Sequence, residues 1–164
     1  PLLESDPMTI TMPDPATTRH LAYAESIINA PPEAIWQALT HFPAYDEWNP
    51  FTYNVRMPEC EVGKTFQFTV QMGNSARDFT ERIHIVEPHH TLAWGFAHQS
   101  FLLRAIRYQI LIPISDNKTR YQTWEQFGGL LAPVISLTVL ESVHYGFEQV
   151  ATALKNHVES TYTN

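Results

Sequence analysis

The chain has 164 residues, 44% of them hydrophobic and 12% aromatic, which suits one domain with a sizeable core. Charged residues make up only 16%, so this is not a disordered chain; the formal net charge of −7, with ten Lys and Arg that never cluster, excludes the basic surface that nucleic acids or anionic membranes require. A single cysteine, Cys60, excludes an internal disulfide and a cysteine-rich zinc site, and no apolar run approaches the roughly 18 residues of a membrane helix.

Residues 1–19 carry four prolines and little periodicity, and they lack the basic and apolar regions of a secretory signal. They are expected to form a flexible N-terminal arm before a single domain over 20–164, in a reducing, cytoplasmic compartment. Leu21–Asn29 reads as the first strand. Ala30-Pro31-Pro32 then opens an amphipathic helix: Pro32 suits the first turn, Glu33 suits the positive end of the helix dipole, and Ile35, Trp36 and Leu39 make one apolar stripe. Pro43 breaks this helix, and a second short helical turn closes on Trp48-Asn49-Pro50.

The pattern then changes to period two. Phe51, Tyr53, Val55 and Met57 alternate with polar residues, and Phe66, Phe68, Val70 and Met72 do the same after the Glu61–Lys64 turn. Gly73-Asn74-Ser75 turns the chain into a long mixed strand, Arg77–Glu87, with Phe79, Glu81, Ile83 and Ile85 in one phase. Pro88-His89-His90 leads to Thr91–His98, where Leu92, Trp94 and Phe96 share a face. Leu102–Ile114 and Thr119–Phe127 form the last hairpin around Ser115–Lys118, and Gly128-Gly129 ends the sheet. From about Pro133 to Ser160 the period is 3.6: Leu137, Leu140, His144, Phe147, Ala151, Leu154 and Val158 make one stripe, with Gly146 inside it marking a bend or a close contact.

These elements predict an α+β fold: a curved seven-stranded antiparallel sheet around a long C-terminal helix, with two short helices after the first strand. One helix about 40 Å long, at about 1.5 Å per residue, cannot cover every inner face of such a sheet. The gap it leaves is where a ligand would sit.

The opening INAPPEAIWQALTHFPAYDEWNP (28–50), the turn-and-strand EPHHTLAWGF (87–96) and the closing TRYQTWEQFGGLLAP (119–133) together resemble the START-related SRPBCC superfamily, which includes polyketide cyclase/dehydrase-like proteins and birch-pollen-allergen-like carriers. The resemblance covers residues 21–160. It implies the helix-grip fold, in which the helix pair plugs one end of the sheet around a ligand cavity. It does not specify one activity, because related folds host enzymes and carriers alike.

The nucleophile elbow, zinc-protease, P-loop and dinucleotide motifs are absent. Cys60 lies between Glu59 and Glu61, whose charges would raise its pKa rather than activate it. Glu125 shares the phase of Tyr121, Thr123 and Phe127, so it reads either as a desolvated acid–base group in the cavity or as the structural partner of an arginine such as Arg107. His144 is the polar residue on the apolar stripe of the last helix and reads either as a proton carrier or as a satisfied core histidine. The strand 102–114 has two phases. Apolarity places Ile106, Tyr108, Ile110 and Ile112 inside, whereas the family pattern places Arg107, Gln109 and Leu111 inside; we favour the apolar phase, with room for a bulge.

The expected catalytic groups are therefore Glu125, His144 and Tyr108, with Glu81 as a lesser candidate. The expected lining is Trp48, Phe66, Phe68, Phe79, Trp94, Phe96, Arg107, Tyr121, Thr123, Phe127, Leu140 and Phe147. No metal and no cofactor is expected. The predicted function is an enzyme of secondary metabolism that binds a hydrophobic, partly oxygenated, polyketide-like molecule and promotes its cyclisation, dehydration or isomerisation. The alternative is a non-catalytic carrier of a lipid-like or aromatic metabolite. A protein-interaction domain ranks last, because the sequence has no large exposed apolar run. The expected partner is a hydrophobic small molecule, without nucleic acid and without insertion in a membrane, and the sequence leaves the oligomeric state open.

Overall fold

The computed structural model describes residues 9–57, 59–96, 98 and 100–162; residues 1–8 of the expected arm, residue 97 of the expected fifth strand and residues 163–164 lie outside them. The elements are β1 (Leu21–Ile28), α1 (Pro32–Thr40), a 3-10 turn (Phe42–Ala44), α2 (Tyr45–Trp48), β2 (Thr52–Arg56), β3 (Thr65–Met72), β4 (Ser75–Glu87), β5 (Thr91–Gly95), β6 (Ile106–Ser115), β7 (Lys118–Gln126) and α3 (Ala132–Tyr162). The strands form one antiparallel sheet in the order β1-β7-β6-β5-β4-β3-β2. This is the expected helix-grip arrangement, in which α3 packs along β1 and reaches β3 and β7 inside the curl.

Local chemistry explains the closed end. Ile35 and Leu39 of α1 are fully buried, and the His41 N–H caps the helix on the Gln37 carbonyl at 3.0 Å. The buried Tyr45 hydroxyl donates to the Leu39 carbonyl at 2.5 Å, which ties α2 to α1. Asn49 then sets the entry into β2: its Oδ1 accepts from the N–H groups of both Phe51, at 3.0 Å, and Thr52, at 2.8 Å. That side-chain turn satisfies two backbone donors in a buried stretch that has no ladder partner for them. Register shifts at Tyr53/Arg56 in β2 and Ile83/Ile85 in β4 bend the sheet around α3.

The structure corrects three expectations. First, β6 starts at Ile106 rather than Leu102. Residues 101–104 form a loop whose backbone holds the segment before α3: Arg104 and Gly128 exchange both hydrogen bonds, at 2.9 and 2.8 Å, and Leu130 and Leu131 donate to Phe101 and Leu102. Second, Leu137 is 90% exposed. The first turns of α3 overhang the sheet, and the buried stripe begins at Val143 and continues through Phe147, Val150, Ala151, Leu154 and Val158. Third, the favoured apolar phase of β6 is reversed. Arg107, Gln109 and Leu111 are buried on the inner face, while Ile110 and Tyr108 lie on the outer face.

The physical reason for the reversal is a second cover. Ile10 and Met12 pack on the outer face against Leu21, Tyr23, Tyr108, Ile110 and Trp124, and the Tyr108 and Trp124 rings stack at 5.1 Å. Apolar residues are therefore buried on both faces of β6. The choice of face follows from the partners of Arg107, not from hydrophobicity.

Candidate ligand cavity

Between the sheet and the first half of α3 lies a cavity of about 200 Å³. Its wall is mostly aromatic and aliphatic: Phe51, Phe68, Val70, Met72, Phe79, Trp94, Phe96 and Phe127 from the sheet side, Leu103 from the β5–β6 loop, and Ile135, Val139, Val143 and Phe147 from α3. The polar wall is small, comprising Thr52, Arg77, Glu81, Arg107 and Glu125. An apolar concavity with a few convergent polar groups is the usual form of a small-molecule site.

Arg107 organises the polar part. It is only 3% exposed, so its charge is out of bulk water. In register it lies between Trp94 of β5 and Glu125 of β7. Its guanidinium carbon sits 4.3 Å from the Phe147 ring centroid and 5.6 Å from that of Trp94, two cation–π contacts that partly replace lost hydration. Its Nε donates to Thr123 Oγ1 at 3.1 Å, which fixes the fork. Its Nη2 is buried and has no acceptor among the described residues.

Glu81 and Glu125 line the same cavity. Burial pushes both carboxyls above the ordinary carboxylate range, toward neutrality. For Glu81 the charge of Glu125 adds to the rise, and Arg107 opposes the rise in both. Two carboxyls that share a low-dielectric cavity with one guanidinium favour a state in which one is ionised and the other keeps its proton. Such a pair offers a base and an acid at once.

The remaining expected site residues fall into two groups. Phe68, Phe79, Trp94, Phe96, Arg107, Glu125, Phe127 and Phe147 line the cavity. Thr123 lies behind the wall as the acceptor of Arg107, and Tyr121 is fully buried with its hydroxyl donating to Gln109 Oε1 at 2.7 Å. Phe66 sits in the aromatic core, stacked on Phe68, and Leu140 packs on that core without reaching the cavity. Trp48 stacks on His157 in a separate surface groove by α1.

Two expected catalytic groups are placed away from the cavity. Tyr108 is on the outer face, for the reason given above. His144 does point at the sheet, but at its β1 edge: Nδ1 accepts from the Tyr23 N–H at 3.2 Å, and Nε2 therefore carries the proton and faces Glu148 Oε1 at 3.3 Å. It behaves as a satisfied histidine. Cys60 is half-buried, and burial raises its thiol pKa, so the shift has the expected direction but a different cause.

Sequence reasoning missed Phe51, Thr52, Val70, Met72, Arg77, Leu103, Ile135, Val139 and Val143 as lining, and ranked Glu81 low. The alternation of β3 already placed Val70 and Met72 inside. No local pattern marked Leu103 or Ile135, which reach the cavity because two loops dock on each other. The same docking gathers Phe101, Leu102, Leu130, Leu131, Val134 and Leu137 into an exposed apolar rim beside those two lining residues. The fold thus assembles the apolar surface that no single run of the sequence announced.

Among the described residues no helix is long and apolar enough to cross a membrane. No curated protein matches the chain in sequence. Solved structures do match it in fold. The ZhuI aromatase/cyclase from Streptomyces sp. R1128 superposes with a TM-score of 0.70 at 17% identity, covering 87% of this chain and 96% of that one. A START superfamily protein from Mycobacterium smegmatis gives 0.68 at 16% identity, covering 87% and 99%. A norcoclaurine synthase point mutant from Thalictrum flavum, in complex with a transition-state analogue, gives 0.65 at 12% identity, covering 87% and 95%. The family model described as polyketide cyclase / dehydrase and lipid transport matches residues 19–159, and the chain belongs to that family.

Proposed function

We propose that the cavity binds a hydrophobic small molecule bearing a carbonyl or phenolic oxygen, and that the protein is an enzyme promoting its isomerisation, dehydration or cyclisation. The observation that carries this is the buried Arg107 Nη2 without a protein acceptor, in an apolar cavity that also holds two carboxyls of raised pKa. Storage of an apolar ligand needs none of these groups, each of which costs free energy to bury.

The chemistry follows from their positions. A substrate carbonyl oxygen accepts from Arg107 Nη2. The ionised carboxylate takes a proton from the carbon beside that carbonyl, and the electron pair moves onto the oxygen as an enolate that the guanidinium stabilises. The protonated carboxyl then gives its proton to another carbon of the enolate (isomerisation), to a hydroxyl that leaves as water (dehydration), or to the alkoxide formed when the enolate carbon attacks a second carbonyl (cyclisation). Holding a flexible substrate in one reactive shape supplies the rest.

The test uses tetralone, a two-ring ketone with acidic protons beside its carbonyl. Proton exchange with heavy water, followed by NMR, should be faster with the protein, and Glu81→Gln and Glu125→Gln should each remove most of the acceleration. The carrier reading draws on the apolar wall and on the placement of His144 and Tyr108 outside it. It predicts that tetralone binds and its exchange stays at the solvent rate.

A further inference from the structure

The cavity has a defined floor, and one contact sets it. Phe51 lines the cavity where the chain enters β2, held there by the two Asn49 hydrogen bonds and by the Gln71 N–H donating to its carbonyl at 2.9 Å. Its ring lies directly on the backbone of α3 at Gly146. A Cβ added to Gly146 would fall 2.1 Å from Phe51 Cδ2 and 2.3 Å from Cε2, closer than any side chain allows. Phe147 meets the same ring edge-on at 5.7 Å. Gly146 therefore lets Phe51 sink against the helix, and the volume left above the ring is what remains for a ligand.

That volume is informative. An apolar cavity of about 150 Å³ holds one benzene, and this one, which is partly open, is about 200 Å³. Trp94, Phe127 and Phe147 supply the aromatic walls, and Arg107, whose buried Nη2 has no protein acceptor, lines the same space. We propose that the Phe51–Gly146 contact is the specificity determinant of the cavity, and that it limits the ligand held there to a one- or two-ring aromatic carrying a phenolic or carbonyl oxygen for Arg107. This rests on reading the cavity as a small-molecule site, and is independent of whether that site is catalytic. Larger fused-ring systems are excluded by the floor, not by the polar groups.

The test is a binding series by calorimetry with phenol, naphthol, hydroxyanthracene and naphthalene, against the wild-type protein, Phe51→Ala and Gly146→Ala. The wild type should bind naphthol at least about tenfold more tightly than hydroxyanthracene, the scale of a forced overpacking. Naphthalene, which lacks the oxygen, should bind at least about tenfold more weakly than naphthol, because Nη2 is then left unpaired. Phe51→Ala should admit hydroxyanthracene and erase its disadvantage. Gly146→Ala should push Phe51 into the cavity, weakening naphthol at least about tenfold while phenol changes less. If Gly146→Ala does not fold, Phe51→Ala carries the test alone. Equal wild-type binding of naphthol and hydroxyanthracene, or an unchanged ratio in Phe51→Ala, overturns the size limit and leaves the proposed function standing. Failure of the whole series to bind any variant overturns both.

Discussion

The two faces of β6 and β7 carry opposite chemistry under similar burial. On the outer face Tyr108 stacks on Trp124 under Ile10 and Met12, an apolar cluster flanked by the Gln122–Glu25 and Gln126–Arg19 hydrogen bonds. On the inner face Arg107 is buried to 3% against Trp94 and Phe147, beside Glu125. The apolar cluster of the outer face gains free energy from packing, about 25 cal/mol per Å² of apolar area removed from water. The inner face carries Arg107 and Glu125, with Glu81 of β4 lining the same cavity, and the desolvation of all three opposes folding. A strand that places its charges inside and its aromatics outside gives up stability where the ligand site lies and recovers it by covering the far side.

Four experiments break or sharpen this contrast. Trp124→Ala should cost about 3–5 kcal/mol in denaturant unfolding, the usual cost of deleting a buried Trp or Phe side chain, and should leave naphthol affinity within a few-fold, since Trp124 is on the outer face. A large loss of affinity at matched folded fraction would join the two faces and contradict the account. Glu125→Gln should lower the rate of tetralone proton exchange by about 10²-fold, the scale of general acid–base catalysis, with ligand affinity shifting far less. A variant that exchanges like the wild type removes Glu125 from the chemistry.

The pH dependence separates the faces in a third way. Below the ordinary carboxylate pKa, Glu81 and Glu125 are protonated in both folded and unfolded chains and contribute no difference. As pH rises above it, the unfolded chain loses these protons while the folded protein keeps them, because burial raises both values. Their contribution to stability therefore falls with rising pH until the folded values are passed, and is flat beyond. Unfolding free energies measured from pH 4 to pH 9 should show a smaller decline across this window in Glu81→Gln and Glu125→Gln than in the wild type. Identical slopes would contradict the raised values. The smallest effect is expected for His144→Phe. It removes the acceptor of the Tyr23 N–H and should cost about 1 kcal/mol, with tetralone exchange unchanged. Loss of exchange would return His144 to the chemistry.

The same contrast explains what the sequence could tell. Strand periodicity, the Gly73 turn, the Pro32 helix start and the 3.6-residue stripe after Val143 are local signals, and the α+β helix-grip arrangement follows from them. The phase of β6 is not local. Tyr108 and Ile110 look like a core face because they are covered, but their cover is a segment roughly a hundred residues earlier in the chain. Glu125 was legible through alternation with Tyr121, Thr123 and Phe127. Glu81 shared the phase of Phe79 and Ile83, yet its weight depends on facing Arg107 and Glu125 across the curl, which no spacing reports. His144 looked functional because a polar residue on an apolar stripe has few structural excuses; a β1 backbone N–H within reach of its ring supplies one. Gly146 inside the helical stripe implies a bend or a close contact, and the contact is Phe51.

The central claim is that the inner face of β4–β7 holds a ligand oxygen on Arg107. A crystal structure of the protein with naphthol tests it most directly. The account predicts density for two rings among Trp94, Phe127 and Phe147, with the hydroxyl oxygen within hydrogen-bonding distance of Arg107 Nη2. Density confined to the outer face or to the surface groove by Trp48, or a cavity closed by its own side chains while naphthol binds elsewhere, would contradict it.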